Sequence, residues 1–167
     1  MVKAAELNPS DTIHRALIDV RLAEMNALFQ KQDVSPETLQ AQFQELLGSA
    51  IASGNEAIRL NETNYANWFA LARIYAALVP LKVEGAYEKA KAALVAARER
   101  NPKSPRLVLE EARLEITHGN KEEARKLVSE AIRLKSNYSD AIFVLAQLDI
   151  DAGNVAGAVA SLEQASL

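Results

Sequence analysis

The sequence predicts an all-α solenoid built from stacked, antiparallel helix hairpins. Three observations carry that reading: small and apolar residues that recur at one fixed spacing, turn and capping residues set between helix-forming segments, and no window with sustained period-2 alternation. Shifted by 34 positions, Ala112, Gly119, Asn120, Ala124 and Ala131 fall on Ala146, Gly153, Asn154, Ala158 and Ala165. Leu114, Ile116 and Val128 fall on Leu148, Ile150 and Leu162 at the same shift. One coincidence of alanines means little in a chain this apolar. A whole set that carries its Gly-Asn turn with it is not a chance match.

The earlier units follow the same register with additions. Ala124 and Ala131 step back by 34 to Ala90 and Ala97, but Ala112 meets Ala72 only after a step of 40. Six extra residues therefore lie between Ala72 and Ala90, in the segment 78–86. Ala90 and Ala97 in turn meet Ala50 and Ala57 at an offset of 40, and from Ala4 to Ala57 is 53 residues, so the first unit is longer in both helices.

Taken in order, the chain opens on what reads as the tail of a helix near 2–8, with Ala4 and Leu7, closed by Asn8-Pro9. Helices are expected at about 11–30, 36–60, 64–79, 86–100, 105–118, 121–134, 139–152 and 154–166. Ser35-Pro36-Glu37 starts the second of these, with Ser as cap and Pro at the first helical position. Asn101-Pro102 breaks the chain between units. Gly119-Asn120 and Gly153-Asn154 supply a left-handed stop, each Asn then being placed to cap the next helix. Alanine where two helices cross lets their backbones approach to about 8–9 Å.

Trp68, Leu71, Ala72, Tyr75, Ala90, Ala97 and Pro102 form a pattern that resembles the tetratricopeptide repeat. That family carries a large residue, a Leu-Ala or Leu-Gly pair and a Tyr on its first helix (A), then two alanines seven apart and a Pro on its second (B). The next unit keeps Val108, Ala112, Gly119, Ala124 and Ala131 but has Glu111 where Leu is usual and Ser136 where Pro is usual. The last keeps Ile142, Leu145, Ala146, Gly153, Ala158 and Ala165. The resemblance implies a right-handed solenoid over 1–167, with units of about 11–62 (elongated), 65–104 (with the insertion), 105–138 and 139–167. Neither end shows a polar capping helix, so the chain reads as a fragment of a longer protein.

Composition narrows the function. With 49% hydrophobic residues, a quarter charged and a net charge of −3, the chain has neither the makings of a disordered segment nor the basic excess of a nucleic-acid binder. The longest apolar run, Trp68 to Leu81, is interrupted by Arg73 and Pro80 and falls short of the roughly 20 apolar residues of a spanning helix, so direct membrane insertion is not expected. No cysteine is present, which removes disulfides and thiolate chemistry. His14 and His118 stand far apart and read as surface residues, not metal ligands. The carboxylates Glu110-Glu111, Glu122-Glu123 and Asp149/Asp151 read as solvated helix faces. Gly153 and Gly157 match no phosphate-binding motif. No catalytic residue, metal or cofactor is expected.

In tetratricopeptide arrays the inner faces of successive A helices line a concave groove that holds a peptide or partner segment. The resemblance carries this to Phe69 and Arg73, then Leu109 and Arg113, then Phe143 and Gln147, with Ile116, Thr117, Ile150 and Asp151 one turn further on. Two arginines one repeat apart, flanked by Phe and Leu, suit an acidic or amphipathic segment. The bland alternative is that the apolar members fill interhelix space and the arginines solvate a face. The two-carboxylate clamp of chaperone-binding members uses Lys and Asn where this sequence has Arg and Phe or Leu, so that specificity is not expected.

The insertion Leu78-Val-Pro-Leu-Lys-Val-Glu-Gly85 is unusually apolar for a loop. It is expected to fold back over the helix pair of Trp68, or else to dock against another domain. Together with Trp68, Leu71, Ala72, Tyr75 and Tyr87 it looks like repeat regions appended to bacterial membrane proteins of the O-antigen ligase or polymerase type. The leading expectation is a protein-interaction scaffold. An accessory domain of a membrane-bound glycan enzyme and a self-assembly module joined through uncapped ends are the alternatives. The compartment stays open: cytoplasmic by default, extracytoplasmic if tethered.

Overall fold

A computed structural model describes residues 10–31 and 34–165, and over these the chain forms eight α-helices and no strand. They are α1 (Asp11–Leu28), α2 (Pro36–Leu60), α3 (Tyr65–Leu78), α4 (Ala86–Arg100), α5 (Pro105–His118), α6 (Lys121–Leu134), α7 (Ser139–Asp151) and α8 (Val155–Ala165). Each bound lies within two residues of its expected position. The expected helix end at 2–8, with Ala4 and the Asn8-Pro9 break, falls outside the described residues. Consecutive helices pair as hairpins, α1 with α2 through α7 with α8. The hairpins join through α2–α3, α4–α5 and α6–α7, and α1 also reaches α3.

Local chemistry sets the helix ends. Ser35 Oγ accepts the Thr38 amide at 3.3 Å, Asn64 Oδ1 accepts that of Ala66 at 3.1 Å, and Ser104 Oγ accepts that of Leu107 at 3.4 Å. Pro36 and Pro105 occupy first positions where a missing N–H costs nothing. Gly119 (φ 97°) and Gly153 (φ 77°) adopt the left-handed conformation. This lets the Asn120 and Asn154 amides close back on the Glu115 and Asp149 carbonyls, both at 2.8 Å. The two asparagines then diverge. Asn154 Oδ1 accepts the Gly157 amide at 3.1 Å and caps α8 as expected. Asn120 makes no side-chain cap on α6; its Nδ2 donates to the Glu115 carboxylate at 2.6 Å.

Small residues set how closely the helices approach. Ala50, Ala57, Ala90, Ala97, Ala112, Ala124 and Ala131 are fully buried. At Gly54 of α2 a Cβ would stand 2.9 Å from Leu71 Cδ1, so any larger residue there would require the Leu71 side chain of α3 to shift. Apolar clusters form under each crossing: Ile18, Ala50, Leu71 and Ile74 at the first, Phe69, Ala72, Leu94 and Leu107 at the second, and Val108, Leu109, Val128 and Leu148 at the third. The insertion folds back only in part. Leu78 is buried and Val79 is packed against the core, but Leu81 and Val83 are 48% and 41% exposed. Between them Lys82 is the one non-glycine residue with positive φ among those described, at 56°.

Ala124 and Ala131 are fully buried between helices, so extra methylenes there must displace their neighbours. Ala124→Leu and Ala131→Leu should each destabilise by about 1–3 kcal/mol in urea titrations. Unchanged midpoints in both variants would show that the crossings are not packed as described.

Candidate functional site

The six groove residues occupy two positions of the repeat, one turn apart, on α3, α5 and α7. Arg73, Arg113 and Gln147 share one position and are all exposed. Phe69, Leu109 and Phe143 share the other and differ sharply, at 8%, 0% and 63% exposed. Position along the stack explains the difference. Phe69 lies under the Arg106 guanidinium of α5, 5.0 Å from its ring centre. Leu109 belongs to the cluster that includes Ala141 and Leu148 of α7. Among the described residues no further A helix lies against Phe143. Phe69 and Leu109 are thus core side chains, and Arg73, Arg113, Phe143 and Gln147 are the members open to a partner.

The row is polar and partly self-neutralised. Arg73 Nη1 bonds Asp19 of α1 at 2.6 Å, and Arg113 Nη1 bonds Glu110 at 2.8 Å. Gln147 Nε2 donates to Asp151 Oδ1 at 2.9 Å, which, with Lys121 at 3.5 Å, holds the Asp151 carboxyl below its ordinary value. A guanidinium carries five N–H donors, so each arginine retains donors beyond its carboxylate. Thr117 donates to the Arg113 carbonyl at 2.9 Å, and Ile150 is half exposed.

Polar ties between hairpins are a second feature, and one that repeats. Glu115, 1% exposed near the end of α5, accepts from Lys91 (2.8 Å) and Tyr87 (2.9 Å) of α4 and from Asn120. Asp149, 4% exposed near the end of α7, accepts from Arg125 of α6 at 2.8 Å and from Asn154 at 3.2 Å. Lys91, Glu115 and Asn120 stand 34 positions before Arg125, Asp149 and Asn154, so one device serves two junctions. Burial pushes the Glu115 carboxyl up, but the bonds from Lys91, Asn120 and Tyr87 outweigh it and leave it below its ordinary value. Arg98 adds a further tie, bonding Glu111 of α5 at 2.6 Å and Glu130 of α6 at 2.7 Å. Reading Glu111 and Asp149 as parts of solvated faces is therefore corrected: both are buried and paired.

The first junction uses a different set. Asn67 of α3 is fully buried and donates to the Ala57 and Asn61 carbonyls, both at 2.8 Å, while accepting from Arg15. Asp11 of α1 accepts from Asn64 at 2.8 Å and from Arg15 at 3.0 Å. Burial raises the Asp11 carboxyl, but bonds from Asn64, Asn67 and Arg15 and the nearby guanidinium charge bring it down to about 2.

Of the two histidines, His14 has a buried Nδ1 with no hydrogen-bond partner among the described residues. His118 stacks on Tyr87, ring centres 3.6 Å apart, and His14 is half buried. Among the described residues no three His, Asp or Glu side chains form a metal-binding group, and no helix is long and apolar enough to cross a membrane. A cleft of about 420 Å³ lies between the insertion and the end of α5, lined by Val79, Pro80, Val83, Tyr87 and His118 among others.

Residues 84–135, spanning α4 to α6, match the family model described as tetratricopeptide repeat. The fold is similar to that of TTC0263, a thermophilic tetratricopeptide protein of Thermus thermophilus. The match has 21% identity and a TM-score of 0.63, over 89% of this chain and 81% of that one. It is also similar to MamA, at 17% identity and a TM-score of 0.59, over 91% of this chain and 84% of that one. No curated protein matches the sequence. The fold is a helical-repeat solenoid of the tetratricopeptide type.

Asp11 supplies a pH test. Its folded value lies below the unfolded one, so its contribution is complete above about pH 4 and is lost as pH falls toward about 2. Asp11→Asn lacks that dependence. Its stability deficit against wild type should be largest at neutral pH and should narrow between about pH 4 and 2. A deficit constant with pH would contradict the assignment.

Proposed function

We propose that the chain is a protein-interaction scaffold whose A-helix face holds an extended, acidic or amphipathic segment of a partner protein. The observation that carries the reading is the row Arg73, Arg113, Gln147. Three successive A helices offer an exposed, hydrogen-bonding side chain at one repeat position, while their neighbours in sequence turn inward. Stacked repeats set equivalent positions side by side, so the row has the periodicity of an extended ligand. Phe143 at its far end is the aromatic anchor, since Phe69 and Leu109 are spent on packing. Arg and aromatic residues dominate binding energy at such surfaces, and the charges contribute orientation and association rate more than affinity.

The insertion supports a second reading. Leu81 and Val83 are exposed beside the cleft that ends on His118, and this edge is a contact for another protein or domain. An accessory role beside a membrane-bound glycan ligase or polymerase would use it.

Peptide display against the immobilised chain separates the two. Acidic segments with an apolar residue should be enriched, and Arg73→Glu with Arg113→Glu should abolish their capture with little change in melting, because exposed ion pairs contribute less than about 1 kcal/mol each. Enriched peptides that bind the double variant equally well, but lose binding to Leu81→Asp with Val83→Asp, would move the site to the insertion.

A further inference from the structure

Building on the scaffold reading above, we infer that the partner segment is of mixed charge, with a basic residue over α1 and acidic residues over α3 and α5. Arg73, Arg113 and Gln147 are each the ninth residue of their helix, and the ninth residue of α1 is Asp19. The row therefore begins with an acid. Asp19 accepts from Arg73 Nη1 at 2.6 Å, so equivalent positions of α1 and α3 do stand side by side. The two side chains are 59% and 41% exposed, and both are open to a partner.

The rest of this helix face follows the same order. The second, sixth and thirteenth residues of each A helix share a face with the ninth. On α1 and α3 these positions hold no other charge. On α5 they add Arg106 and Glu110, which with Arg113 leave a net +1, and on α7 they add Asp140 and Asp151. From α1 to α7 the formal charge of the face thus runs −1, +1, +1, −2. Lys121 of α6, 3.5 Å from Asp151, offsets part of the last.

That order discriminates between occupants. A partner acid reaches Arg73 only by sharing it with Asp19, which sets two carboxylates around one cation. Juxtaposed like charges are costly, and a base over Asp19 relieves them. An ionised carboxylate accepts at several lone pairs, so Asp19 can hold Arg73 and a partner base together. A segment acidic along its whole length is repelled at α1, and one basic along its length is repelled at α3 and α5. An extended chain advances about 3.3 Å per residue and packed helices lie about 8–10 Å apart, so consecutive A helices meet residues roughly three apart.

Peptide display on the immobilised chain at low ionic strength tests the order. Captured peptides should carry Lys or Arg roughly three residues from their acids. Synthetic copies with each base exchanged singly for Glu are then titrated by fluorescence anisotropy. One exchange should weaken binding to wild type about tenfold. The same exchange should tighten binding to Asp19→Lys. If Asp19→Lys melts early, Asp19→Asn serves, and should erase the preference for the base. Captured peptides that are acidic throughout would overturn the inference and leave the groove reading in place, as would exchanges that act equally on wild type and the Asp19 variants. No captured peptide, or capture indifferent to Arg73→Glu with Arg113→Glu, would overturn both.

Discussion

Helix hairpins form from local contacts, but a stack of hairpins needs something that holds each to the next in one register. At two of the three junctions between the described hairpins, a buried carboxylate near the end of an A helix does so. Glu115 reaches back to Lys91 and Tyr87 of the preceding B helix and forward to Asn120 at the start of its own. Asp149 does the same with Arg125 and Asn154. Three helices meet at one charged group, and each is misplaced if that group is unsatisfied. Alanine crossings permit the close approach, but an alanine contact tolerates sliding; a carboxylate with three directional partners does not. The gain over an apolar contact lies in specified register more than in raw stability, because desolvating the ions offsets much of their attraction.

That division of labour bears on which parts are legible in the sequence. The helices, the Gly-Asn stops and the buried alanines follow from residue types that have few alternatives: glycine at positive φ, alanine where backbones meet. The 34-residue shift that aligns Ala124 with Ala158 also aligns Lys91 with Arg125 and Glu115 with Asp149. The ties are therefore present in the repeat, as matched charges beside the matched alanines. They are easily passed over because a carboxylate on an amphipathic helix is solvated far more often than buried. Asn120 and Asn154 both donate Nδ2 to the buried carboxylate before them, and only Asn154 also caps the next helix through Oδ1.

The groove is legible in register but not in exposure. Phe69, Leu109 and Phe143 are chemically alike and equivalent in the repeat, yet the first two are enclosed and the third is open. What decides is the presence of a following A helix, a property of the stack that no single position encodes. Among the described residues, the repeat position that stays exposed on all three of these A helices is the polar one, Arg73, Arg113 and Gln147 along α3, α5 and α7.

The central claim is that Lys91 and Glu115 act as a coupled pair across the α4–α5 junction. A double-mutant cycle in urea with Lys91→Met, Glu115→Gln and the combined variant measures that coupling directly. The account predicts an interaction free energy of about 1 kcal/mol or more, within the range for residues that share a network. A value indistinguishable from zero, with the two single changes simply adding, would mean that the junction is held by apolar packing alone and that the buried carboxylate is incidental.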